Sequence, residues 1–167
     1  MLKSKIFILF WIGILFLSAF SCSDSKKKFT LLSPRKTGIK FKNILKETKD
    51  FNVLTYGYLY NGGGIAIGDV NNDGLEDIYF TGNMVASRLY INQGNLNFKE
   101  VAEEAGVDAP GLWNTGTTMV DINGDGWLDI FVCRSAAANS ILRKNLFFIN
   151  NGDMTFTESA GLLGIND

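Results

Sequence analysis

The residues best suited to chemistry fall in two short runs of Asp and Asn. DVNNDGLED, residues 69–77, puts Asp69, Asn71, Asp73 and Asp77 at places one, three, five and nine. DINGDGWLD, residues 121–129, puts Asp121, Asn123, Asp125 and Asp129 at the same places. Carboxylates crowded this closely repel one another unless a positive charge sits between them. Calcium meets that need, because it takes about six to eight hard oxygen ligands in a flexible shell. When the chain curls, places one, three and five turn their oxygens inward, and Gly74 or Gly126 permits the sharp turn. The backbone carbonyl of Leu75 or Trp127 adds a ligand, and Asp77 or Asp129 closes the shell. A position that offers only its carbonyl tolerates Leu in one loop and Trp in the other. The expectation is one Ca2+ per loop. The competing reading is two Asx-rich turns without metal, against which the duplication of all four ligand positions counts. An EF-hand would need Glu at the twelfth place, where Phe80 and Val132 stand.

Other chemistries are restricted by composition. The chain has no histidine, which excludes His-based triads and His metal ligands and leaves acid–base work to carboxylates, Lys or Tyr. Six of its seventeen acids occupy ligand places in the two loops. Glu103 and Glu104 sit in a connector, where a solvated role is expected. A hydrolase or lyase acting on polysaccharide would need paired carboxylates facing a cleft; it is the second reading of function, and no catalytic residue is assigned. Cys133 lies in the apolar run DIFVC and reads as a buried, inert thiol. With one other cysteine, Cys22, there is no Cys-rich metal site.

The elements that hold the loops come from a repeat. Residues 64–69 and 116–121 correspond at an offset of 52, as do DIYF and DIFV after each loop. YINQGNLNFKE and FINNGDMTFTE correspond at 58, so about six extra residues fall around RSAAANSILRKN. Each unit supplies four short strands, the last two joined by a tight Gly-containing turn. Four strands in about fifty residues is the period of a β-propeller blade. The predicted fold is therefore all-β, with blades of four short antiparallel strands at about 61–108 and 113–166. Two blades are fewer than a closed propeller needs, so an incomplete propeller is expected. At least one further strand is expected near NVLTYGYLY, residues 52–60, before the first blade.

The ends carry different information. Residues 1–21 read as a lipoprotein signal peptide: Lys3 and Lys5, then fifteen apolar residues, then Ser21 before Cys22. The apolar run is short for a membrane span, which needs about 20 residues, and its layout is secretory. The ending Ala19-Phe20-Ser21-Cys22 resembles a bacterial lipobox, which implies cleavage before Cys22 and lipidation of its thiol. Residues 22–40 form a basic tether, and residues 26–49 hold nine Lys or Arg against the single acid Glu47. Without aromatics interleaved on a folded face, this charge does not read as a nucleic-acid site.

The nine-residue loop, with its last Asp at place nine, resembles the FG-GAP or VCBS repeat of integrin alpha-type propellers. There the loop joins two blade strands and holds calcium. With NGGGIAIGDVNNDGLEDIYFTGN behind a lipoprotein signal, residues 38–167 resemble secreted VCBS-repeat lipoproteins of the Bacteroidetes type, grouped with ASPIC/UnbV and cartilage-acidic-protein-like chains. The resemblance implies a calcium-stabilised, lipid-anchored binding module in the cell envelope, at the outer membrane or cell surface. Its partner would be an extracellular or periplasmic protein or glycan. A structural assembly subunit is the third reading.

Overall fold

Short apolar–polar alternations, each bounded by Gly, Asn or Asp, produce eight strands in the computed structural model, which describes residues 28–111, 113–135 and 143–165. The chain divides into two units, Met1–Leu31 and Leu32–Asp167. The expected signal segment and Cys22 lie outside the described residues. Among the described residues no helix is long and apolar enough to cross a membrane.

The second unit holds two four-stranded antiparallel sheets, as the repeat predicts. Sheet 1 runs β1 (Ile65–Gly68), β2 (Asp77–Phe80), β3 (Arg88–Asn92) and β4 (Phe98–Glu100), each paired with the next. Sheet 2 repeats the order with β5 (Trp113–Val120), β6 (Asp129–Ser135), β7 (Leu146–Asn150) and β8 (Phe156–Glu158). A single-turn helix, α1 (Pro34–Thr37), precedes the sheets. Two more, α2 (Ala102–Ala105) and α3 (Ala160–Leu163), follow β4 and β8. The extra residues of the second unit fall between β6 and β7, and β6 itself runs three residues longer than β2.

Register explains the packing. Ala66, Tyr79 and Leu89 stand opposite one another across β1, β2 and β3 and so share one face of sheet 1. Met119, Ile130 and Phe148 form a row across β5, β6 and β7. By the repeat offsets it corresponds to Ile67, Ile78 and Tyr90 on the other face of sheet 1, so the two sheets pack through non-equivalent faces. Both rows belong to one hydrophobic cluster, with Ala102, Ala105 and Val107 from the α2 connector. The hydroxyl of buried Tyr79 donates to the Val107 carbonyl at 2.6 Å and ties the connector to the sheet. The inner strands of the two sheets are joined directly: Gly64 N–H donates to the Thr115 carbonyl at 2.7 Å. Asn114, fully buried, donates to Ser87 Oγ and the Ala109 carbonyl and accepts from Arg134 Nε.

The leader covers part of the opposite face of sheet 1, over β2 and β3, and leaves Ile65 and Ile67 of β1 exposed. Phe41 stacks on Phe80 with ring centroids 5.1 Å apart, and Phe80 meets Tyr90 edge-on. Gly38 ends α1 at φ 76°, where a Cβ would also collide with the Phe98 carbonyl. Glycine meets both the conformational and the steric demand there.

Two expectations are corrected. Residues 53–60 form consecutive turns instead of a strand. Tyr56 N–H and Leu59 N–H donate to the Asn52 and Tyr56 carbonyls, while the Asn52 side chain accepts from Leu54 N–H. These local bonds compete successfully with extension. Cys133 is half-buried, because it lies on the outer face of sheet 2 opposite Gly116, which has no side chain to cover it.

Candidate functional site

Each Asp/Asn run forms the connection between the first two strands of its sheet, β1 to β2 and β5 to β6. In the first loop Asp69 receives two backbone donors, Asp73 N–H at 3.2 Å and Gly74 N–H at 2.7 Å. Asn71 Oδ1 accepts from Asp73 N–H at 3.1 Å, and Asp73 Oδ1 accepts from Leu75 N–H at 2.8 Å. The second loop repeats this pattern. Asp121 takes Asp125 and Gly126 N–H at 3.2 and 2.9 Å, Asn123 takes Asp125 N–H at 3.0 Å, and Asp125 takes Trp127 N–H at 2.8 Å. Gly74 and Gly126 take φ of 84° and 88°, the left-handed turn that closes each curl. Places one, three and five are thus gathered around one tight turn in each loop.

The ninth place behaves differently. Asp77 and Asp129 are fully buried at the starts of β2 and β6. Asp77 accepts from Val70 N–H at 3.1 Å and Asn92 N–H at 2.8 Å. Asp129 accepts from Ile122 N–H at 3.1 Å and Asn150 N–H at 2.8 Å. Each therefore clamps the loop's second residue to the end of the third strand, and each oxygen keeps a further lone pair. Burial pushes the Asp77 carboxyl up to about 6; backbone donors from Asn92 and Val70 oppose this, and the charges of Asp73 and Asp69 add to it. Leu75 is exposed, whereas the Trp127 ring is half-buried against Gly152. The loops are neighbours, since Asn72 Nδ2 donates to the Gly126 carbonyl at 3.1 Å.

Two residues escaped the reading of the sequence. Asn92 and Asn150 end β3 and β7 and recur at the repeat offset of 58. Asn150 Nδ2 donates to the Val70 carbonyl at 2.8 Å and the Leu128 carbonyl at 3.1 Å, so it joins sheet 2 to the first loop. Its Oδ1 accepts from Gly152 N–H. Asn92 makes the milder set, to the Glu76 carbonyl and from Gly94 N–H. Their signal was an Asn held at a strand end in both units, where strand propensity disfavours it.

Carboxylates alone do not make a metal centre here: among the described residues, no three Asp, Glu or Cys side chains are grouped closely enough to hold an ion. The donor chemistry still fits a hard cation. Three oxygen-bearing side chains surround one turn, and a desolvated carboxyl lies at its base. Asp69, Asn71 and Asp73, or Asp121, Asn123 and Asp125, would hold the ion with backbone carbonyls. Asp77 and Asp129 would do so through their remaining lone pairs.

Both loops fall within a match to a known repeat family. Residues 69–132 match the FG-GAP-like repeat. The matched span takes in both loops and the rest of sheet 1 after β1. The chain is also similar to cartilage acidic protein 1: it is 35% identical to that of Mus musculus over 69 residues, 41% of this chain and 11% of that protein. The Homo sapiens protein is 33% identical over 72 residues, 42% of this chain and 11% of that protein. The match thus spans about a tenth of these relatives' length. The two sheets have the all-β form of FG-GAP-like repeat blades, and each loop lies at the same corner of its blade.

Proposed function

We propose that this chain is a calcium-stabilised, lipid-anchored binding module of the cell envelope, whose ligand is a protein or glycan outside the cytoplasm. One observation supports the calcium reading above others: the two loops share their donor residues and the same nested hydrogen bonds. An ion in each would neutralise clustered carboxylates and pin the connection between a blade's first two strands. The FG-GAP-like repeat match supports a propeller-type binding role. The anchor rests on residues 1–22, with Cys22 as the lipidated residue. The ion's role is structural, and no catalytic step is assigned to it.

Calcium bound to the folded loops and not to the unfolded chain stabilises by mass action, about 2.7 kcal/mol when calcium is at a hundredfold excess over Kd. Thermal melts in calcium and in chelator test the reading. A higher midpoint in calcium, with magnesium less effective, is expected. Identical midpoints would refute it.

A further inference from the structure

A hollow of about 360 Å³ lies where the leader's turns meet the start of β5. Its apolar wall is a row of aromatic rings. Tyr56 meets Trp113 edge-on at 5.5 Å, and Tyr58 meets Tyr56 edge-on at 5.9 Å. Phe51 backs the row, stacked on Tyr56 at 5.5 Å and edge-on to Trp113 at 5.3 Å. The Tyr56 hydroxyl is 3.2 Å from Ser135 Oγ, which fixes the row to β6. Asn61, Thr115 and Ser135 supply the polar rim, and among the described residues no charged side chain lines the hollow.

Tyr58 is 66% exposed at the end of this row. Its ring is braced by Tyr56, yet it buries little of its own surface, so folding gains little from an aromatic at that position. A braced, exposed Tyr is what a binding platform requires, because little side-chain entropy remains to be lost when a ligand arrives. The volume falls in the range of ligand pockets, about 300–1,000 Å³. Neutral walls offer no partner for an anionic group. A flat π-face flanked by hydroxyl and amide groups instead matches a pyranose ring, whose axial C–H bonds lie on the aromatic face while its equatorial hydroxyls meet the polar rim.

We propose that this hollow is a binding site for a neutral glycan, with exposed Tyr58 as the stacking platform, buried Trp113 as the wall that holds the row in place, and Asn61 and Ser135 as hydrogen-bonding groups. The inference rests on the binding-module reading above and gives it a ligand class and a location.

The test uses the full chain in calcium, titrated calorimetrically with neutral gluco-, xylo- and manno-oligosaccharides, an oligogalacturonate and a proline-rich peptide. A neutral oligosaccharide is expected to bind. Tyr58→Ala should weaken it about tenfold or more, Tyr58→Phe should retain most affinity, and both variants should melt as the parent does. Failure of every neutral saccharide, equal affinity in Tyr58→Ala, or preference for the peptide or the charged glycan would overturn the site. A calcium-dependent melt alongside any of those results would leave the calcium-stabilised module standing. Tyr58-dependent saccharide binding without a calcium effect on the melt would sink only the calcium reading.

Discussion

Replacing Asn150 by Ala should cost more than the same change at its repeat counterpart, Asn92, although the local sequences look alike. Asn150 is 3% exposed and its amide makes three hydrogen bonds, two of them to carbonyls of residues in the two different loops. One of these acceptors belongs to Val70, itself 1% exposed, so water cannot easily replace the lost donor. At about 1 kcal/mol per buried bond, Asn150→Ala should destabilise by about 3 kcal/mol. Asn92 is half-buried and bonds to the exposed Glu76 carbonyl and to Gly94 N–H, where water substitutes after truncation. About 1 kcal/mol is expected there. For a domain of this size the difference corresponds to a gap of about 6 °C in melting temperature. Urea unfolding of both variants, in calcium and with unchanged m-values, measures the two costs. Equal losses in the two variants would refute the argument that Asn150 holds the first loop to the second sheet.

Three further outcomes are expected. Asp73→Ala and Asp125→Ala should each remove one calcium from the stoichiometry measured by titration; two ions still bound by either variant would contradict the assignment. Burial raises the Tyr79 phenol above its usual 10.0, so the unfolded chain releases that proton first. The associated stability is complete below pH 10 and is lost as pH rises through the folded-state value. Tyr79→Phe should flatten that alkaline loss while lowering stability near neutrality by about 1 kcal/mol through the unpaired Val107 carbonyl, and an unchanged alkaline slope would argue against it. Cys22→Ser should shift the chain out of the detergent phase or leave its precursor uncleaved; unchanged partitioning and processing would make residues 6–20 themselves the anchor.

The strand number, the sheet order and the position of the loops were legible because each depends on local pattern. Period-two alternation makes the strands, Gly with positive φ makes the turns, and repetition at 52 and 58 residues shows that the same unit is built twice. The Asx ladder of each loop is also local: Asp69 reaches Asp73 and Gly74, and Asp121 reaches Asp125 and Gly126, all within five residues. Residues 53–60 misled because Val, Leu and Tyr favour strands, while the Asn52 side chain and the packing of Tyr56 on Trp113 stabilise turns.

The repeating unit, with its strands, its turns and the oxygen-rich loop in each copy, follows from local sequence. The environment of each copy follows from packing between distant parts of the chain. Ile78 and Ile130 occupy the same place, yet Ile130 is fully buried in the shared core while Ile78 is half-buried on the other face of sheet 1. Ile67 is 63% exposed, and its counterpart Met119 packs against the core. Asn92 serves its own sheet and Asn150 reaches into the neighbouring one. The physical reason is that alternation specifies which side chains share a face, but not what will cover that face. Cover comes from elements distant in the chain, and the two copies of one unit have different neighbours.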